Sequence, residues 1–117
     1  MVSRLESTNA EVAAALAQLS EDERNRLALA AADLVLSETG QSLDRDETNL
    51  TALVDDLDAA AWDLQDQGDP GYSVAFARAR AANALLCAVR GDAEDAIYEA
   101  LHATVHPASV TSLVLRE

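Results

Sequence analysis

Apolar positions recur along most of the chain at the spacing of helices that each bury one side. The stretch 73–91, SVAFARARAANALLCAVRG, is the segment around which the rest is organised. It contains no Pro and no internal Gly. At roughly 100° per residue, Val74, Ala77, Ala81, Ala84, Leu85 and Ala88 share one face. Phe76, Leu86, Cys87 and Val89 occupy the other faces, so the segment is apolar nearly all round. Such a helix is central, with neighbours on several sides. Its alanines allow another helix to approach closely, and Gly91 marks its end.

Four further helices follow from the same pattern. Residues 1–6 read as a loose arm. Thr8 and Glu11 form a T-x-x-E capping box ahead of AEVAAALAQL, whose inner positions are Val12, Leu16 and Leu19. Ser20 and Glu23 repeat the device, and the second helix runs to about Thr39, with Gly40 behind it. At Ser20 the chain either kinks or turns back, and the pattern leaves both open. Residues 40–47, GQSLDRDE, read as a loop. A third helix over residues 48–67 has the cleanest stripe: Leu50, Leu53, Val54, Leu57, Ala60, Ala61 and Leu64. Gly68 ends it, and Asp69-Pro70-Gly71 is a turn. After the central helix, Asp92 is a good N-cap, and a fifth helix over residues 93–106 turns Ile97, Ala100, Leu101 and Thr104 inward before Pro107. The tail ASVTSLVLRE fits either a short helix covering the core or an extended segment. Five helices with short loops predict a single all-α domain, a compact bundle.

Composition sharpens this picture. The chain has 117 residues, half of them apolar, enough to bury a core without cross-links. All eight basic residues are Arg; with 21 acids the net charge is −13. That field repels nucleic acid and anionic membranes and attracts basic partners or cations. The Arg-only, Asp-rich composition fits a GC-rich genome or a salt-rich cytoplasm. A single Cys87, inside an apolar helix, excludes an intrachain disulfide and any multi-cysteine metal site. No apolar run approaches the ~18 residues of a membrane span. The N-terminal MVSRLEST lacks the apolar centre of a signal peptide, so the expectation is a cytoplasmic protein.

Residues 77–103, ARARAANALLCAVRGDAEDAIYEALHA, carry a recurring layout. An Ala-rich helix ends in Gly91-Asp92, and the next helix begins with Glu94 and carries Ile97-Tyr98, Ala100 and Ala103. Trp62 lies late in the preceding helix. This layout resembles a small all-helical bacterial family of unknown activity, often called YjaG-like. The resemblance covers about half of the chain. It implies an all-helical fold and an immunity-like partnership with bacterial toxins, and it implies no catalytic residues.

Two polar stripes are candidates for function. On the third helix Asp55, Ala59, Trp62 and Asp66 lie away from the leucines. If that helix packs on one side only, its Trp is an exposed aromatic in a carboxylate rim, typical of an interface anchor. If it packs on both sides, Trp62 is core, the usual place for a large aromatic. On the fifth helix Asp95, Glu99, His102 and His106 fall opposite the apolar face. Two His at i, i+4 with a carboxylate one turn earlier can share a metal. A di-metal bundle would need a second Glu-x-x-His, supplied only by a homodimer. The bland alternative is a solvated face with two His near a helix C-terminus, where positive charge is favourable. Arg78 and Arg80 point to different faces and are expected to pair with acids, since a half-buried Arg needs a carboxylate. No catalytic template is present: no Gly-rich phosphate loop, no distinctive Ser–His–Asp order and no H-E-x-x-H.

The sequence therefore predicts a non-catalytic, acidic protein-binding module with no cofactor, of the immunity type that masks a basic toxin, with Asp55, Trp62 and Asp66 as anchors. The runner-up is a metal-binding helical protein using Glu99, His102 and His106. A third reading is a structural homodimer built on the Ala-rich faces. Nucleic acid and membrane are excluded as partners by charge.

Overall fold

The computed structural model describes residues 3–116. They form seven helices: α1 Arg4–Thr8, α2 Ala10–Ala17, α3 Glu21–Glu38, α4 Glu47–Asp66, α5 Tyr72–Val89, α6 Ala93–Ala103 and α7 Pro107–Leu115. There is no strand among the described residues. The all-α expectation holds, with seven helices in place of five.

The two additional helices lie at the chain ends. The expected loose arm, residues 1–6, is helical from Arg4 onward as the start of α1; Met1 and Val2 lie outside the described residues. The Ser3 side chain accepts a hydrogen bond from the Glu6 N–H at 3.1 Å, and Leu5 is 1 % exposed. One large apolar side chain docked on the core, plus one cap, orders a helix too short to form alone. Thr8 closes α1, so the cap of α2 is Asn9, whose side chain accepts from the Val12 N–H at 3.0 Å, and the expected Thr8 box is absent. At the other end the tail is helical. Pro107 occupies its first turn, where a missing N–H costs nothing. Val110 and Val114, one turn apart, are buried.

Between the ends the expected elements stand, with shifted boundaries. The Ser20 side chain accepts from the Glu23 N–H at 3.2 Å, as its capping signal requires. The chain breaks between α2 and α3 into two separate helices. The Asp46 side chain caps α4 by accepting from Asn49 N–H at 2.9 Å. At the end of α5, Gly91 takes φ +79°, which lets the Asp92 N–H reach back to the Cys87 carbonyl at 2.9 Å. The fifth expected helix, α6, stops at Ala103, three residues short of His106. Proline disfavours helical geometry in the residue before it. Thr104 is extended, and its hydroxyl donates to Glu38 and accepts from the His106 N–H.

Packing follows from the apolar faces. α5 lies between α4 on one side and α3 and α6 on the other, and α3 and α6 also pack on each other. α1, α2 and α7 close the far side, against α6 and α3. The core contacts of α5 are Ala79, Ala81, Ala82, Ala84, Leu85, Leu86 and Ala88, all buried. Val74, placed on that face by periodicity, is 65 % exposed and lines an open groove with Glu38, Ala103 and Val105. A radius of gyration of 13.9 Å is close to the ~13 Å of a compact chain of this length.

If α1 is docked as described, Leu5→Ala removes a fully buried side chain and should lower unfolding free energy by about 2–4 kcal/mol. Urea denaturation reads this directly; a midpoint equal to the parent's would mean that α1 contributes nothing to the fold.

Candidate functional site

Two side-chain systems stand out: an ion network around the buried Glu99 and an exposed acidic face on α4. They share Asp58.

Glu99 is 1 % exposed, the one buried polar or charged residue among the described residues. Its position explains this. Glu99 sits three residues after buried Ala96 and four before buried Ala103, inside the small-residue stripe that α6 turns to the core. A carboxylate there must be paired, because an isolated buried charge is prohibitively costly. Arg80 supplies the partner from α5, with Nη1 donating to Glu99 Oε2 at 3.0 Å. The second terminal nitrogen of Arg80 donates to Asp58 on α4. Burial alone would lower the Arg80 pKa, but the Asp58 hydrogen bond and the Glu99 charge outweigh it and raise it above the ordinary value. The Nε of Arg80 is buried without a hydrogen-bond partner.

Arg4 completes the network from α1. Its guanidinium lies 3.1 Å from Asp95 and 3.6 Å from Glu99, and 4.4 Å from the centre of the Tyr98 ring. One carboxylate thus ties α1, α5 and α6 together, and Arg80 extends the tie to α4.

On α4, Leu50, Val54 and Ala61 are buried against α5, its main neighbour. Because α4 is packed on one side only, its opposite side is open. At the edge of the α5 contact, Trp62 is 56 % exposed, so it is not part of the core. Its ring meets Phe76 of α5 edge-on, with centroids 6.4 Å apart and planes at 82°. Phe76 in turn faces the Arg80 guanidinium at 5.3 Å. Asp58, one turn before Trp62, is tied to Arg80, so two adjacent contacts fix this face to the core. Asp55 and Asp66, on the same stripe, are exposed and have no ion-pair partner among the described residues. The structure therefore brings Asp55, Trp62 and Asp66 onto one open face.

The expected metal set is dispersed. Glu99 faces the core and is held by two arginines. His102 is exposed, and its Nδ1 donates to the Tyr98 carbonyl at 2.9 Å while the ring stacks near Tyr98. His106 lies beyond the end of α6, at the start of α7, so the two His no longer share a helix face. Among the described residues no group of three or more His, Cys, Asp and Glu is placed to hold a metal ion. Of the two central arginines, Arg80 is paired as expected, whereas Arg78 is exposed and has no ion-pair partner among the described residues.

Cys87, half-buried, has its thiol pushed up to about 11, first by burial and then by the charges of Glu99, Asp92 and Asp95. The nucleophile is the thiolate, so this thiol is poorly reactive. Burial, then Asp95, also raises the Asp92 carboxyl above its ordinary value.

No family model, curated protein or solved structure matches the chain. No helix among the described residues is long and apolar enough to cross a membrane.

Two measurements test this geometry. Glu99→Gln removes one partner of a buried pair and is expected to cost roughly 3 kcal/mol. Arg45→Ala, which breaks a pair with Asp33 that is exposed on both sides, should cost less than about 1 kcal/mol. Equal costs in urea denaturation would refute the anchoring role of Glu99. For Cys87, alkylation at pH 8 should run about a hundredfold slower in the folded protein than in the unfolded chain, the ratio of thiolate fractions for a pKa near 11 against the ordinary 9.0. Similar rates in the two states would contradict the burial of the thiol.

Proposed function

We propose that this chain is a non-catalytic protein-binding module that captures a basic protein on the outer face of α4. The observation that carries this is Trp62, the one Trp of the chain, exposed yet held edge-on by Phe76 among unpaired carboxylates. A rigid aromatic in a polar rim loses little entropy on contact, and its face attracts an Arg or Lys side chain. Asp55 and Asp66 flank it along the helix and would meet further positive charge. The net charge of −13 steers a cationic partner from a distance and disfavours acidic ones.

The immunity-type role, masking a basic toxin, follows from the same charge and from the YjaG-like layout of residues 77–103. The lone unpaired Cys87 fits a reducing, cytoplasmic setting. Catalysis is not part of the reading: the buried carboxylate is locked between arginines, and the thiol is suppressed.

The test is an affinity capture from native extract at low and high salt, followed by titration of the protein recovered. The expected result is one stoichiometric basic protein, released by salt. Trp62→Ala should weaken its affinity at least about tenfold, while circular dichroism stays unchanged. The single Trp also reports directly: its emission should shift to the blue as the partner covers it. Binding that ignores both salt and the Trp62 substitution would rule out this face.

A further inference from the structure

The paired charges around Glu99 form a line that crosses four helices. Asp58 of α4 accepts from Arg80 of α5, and Arg80 also donates to Glu99 of α6 at 3.0 Å. Glu99 lies 3.6 Å from Arg4 of α1, and Arg4 lies 3.1 Å from Asp95 of α6. The signs alternate along the line, and each arginine is shared between two carboxylates. Its two ends are open to solvent: the Asp58 side chain is 32 % and that of Asp95 38 % exposed, against 2 % for Glu99. Asp58 stands one turn before Trp62, so one end of the line reaches the outer face of α4.

The other end holds a weakly supported element. α1 has five residues, and Leu5 is the one of them that is buried. So short a helix does not form alone, and segments with few buried contacts open locally before the whole domain does. Arg4 grips α6 for it: the guanidinium meets Asp95, Glu99 and the Tyr98 ring, three groups within about one turn. Neighbouring charges in such a line are not independent. Arg80 divides its donors between Asp58 and Glu99. When Asp58 is neutralised, or taken by another cation, the charge of Arg80 falls on Glu99 alone. Glu99 then attracts Arg4 less, and α1 loses part of its hold. Burial of Glu99 strengthens the effect, because charges interact more strongly where water is excluded.

We propose that α1 is a latch whose closure is coupled to the outer face of α4 through Asp58, Arg80, Glu99 and Arg4. A cation placed on Asp58 loosens α1. By linkage, an open α1 strengthens cation binding at Asp58 by the same factor. The two-state element is α1 itself, docked through Leu5 or released, and both ends of the line bias it. That the cation arrives on a bound basic protein rests on the proposed function; the coupling is a property of this chain alone.

Hydrogen exchange of the full chain reads the latch without any partner. The reporters are the Ser7 and Asn9 amides, bonded to the Ser3 and Leu5 carbonyls. Arg4→Gln should speed their exchange about tenfold. Asp58→Asn, on another helix, should speed it at least about threefold, whereas Asp55→Asn, which removes an equal charge from the same helix, should change it less than about twofold. Amides of α7, a second short terminal helix that gives no residue to the line, should keep the parental rate. In the Arg4→Gln background, Asp58→Asn should add less than about twofold, because both substitutions act on one line. An α1 rate untouched by Arg4→Gln or by Asp58→Asn would overturn the proposal. So would a rise shared equally by α7, or an Asp58→Asn effect undiminished without Arg4. If the variants show the coupling while captured protein ignores Trp62→Ala, the latch stands and the partner reading alone fails.

Discussion

A carboxylate buried in a small helical domain must be neutralised where it lies. Glu99 sits in the inward stripe of α6, so Arg80 of α5 must reach it, and Arg4 must close over it from α1. The pairing fixes more than two side chains. Arg80 has a second hand on Asp58 of α4, so the relative positions of α4, α5 and α6 follow from one planar guanidinium. Arg suits this role because its donors form a fixed fork, which Lys cannot reproduce. Whether the network adds net stability is a separate matter, since desolvation offsets much of the attraction. Its evident effect is on geometry: other registers of α5 against α6 would leave a bare charge in the core.

Around that centre the packing depends on small side chains. Alanine fills most of the contact positions of α5 and α6, so these helices approach closely, and larger residues are needed only at the margins. Few large apolar side chains are then left to bury, and α4 finds a single main neighbour. The exposure of Trp62 is a direct result. Trp62 stands at the edge of the α4–α5 contact, steadied by Phe76 rather than enclosed.

The same economy leaves two unlike surfaces. The α4 face is acidic and aromatic, suited to a cationic partner whose approach is steered by long-range charge. The groove at Val74 and Val105 is apolar, with one Glu and one Arg in its lining.

The helices and many of their ends were legible in the sequence because they are set locally. Ser20 and Asp92 cap as their types require, Gly91 takes the left-handed turn, and the stripe of Leu50, Val54 and Ala61 faces inward as its period demands. The acidic Trp62 stripe was visible too, as a pattern with two possible fates. Other features depended on contacts between residues far apart in sequence. Leu5 orders α1 because a distant core receives it. His106 leaves the α6 face because Pro107 and the Thr104–Glu38 bond end the helix early. Glu99 stands in a small-residue stripe, a sign of burial that periodicity shows. Which arginines meet it is fixed by how α1, α4, α5 and α6 converge. Composition and period thus determined an all-helical, strongly acidic chain and the inner side of most helices, since both follow from local backbone preference and summed charge. Only the tertiary structure decided that Trp62 is open, that Glu99 is buried between Arg80 and Arg4, and that Val74 and Val105 share a groove, since each is a question of what lies across from a residue in space.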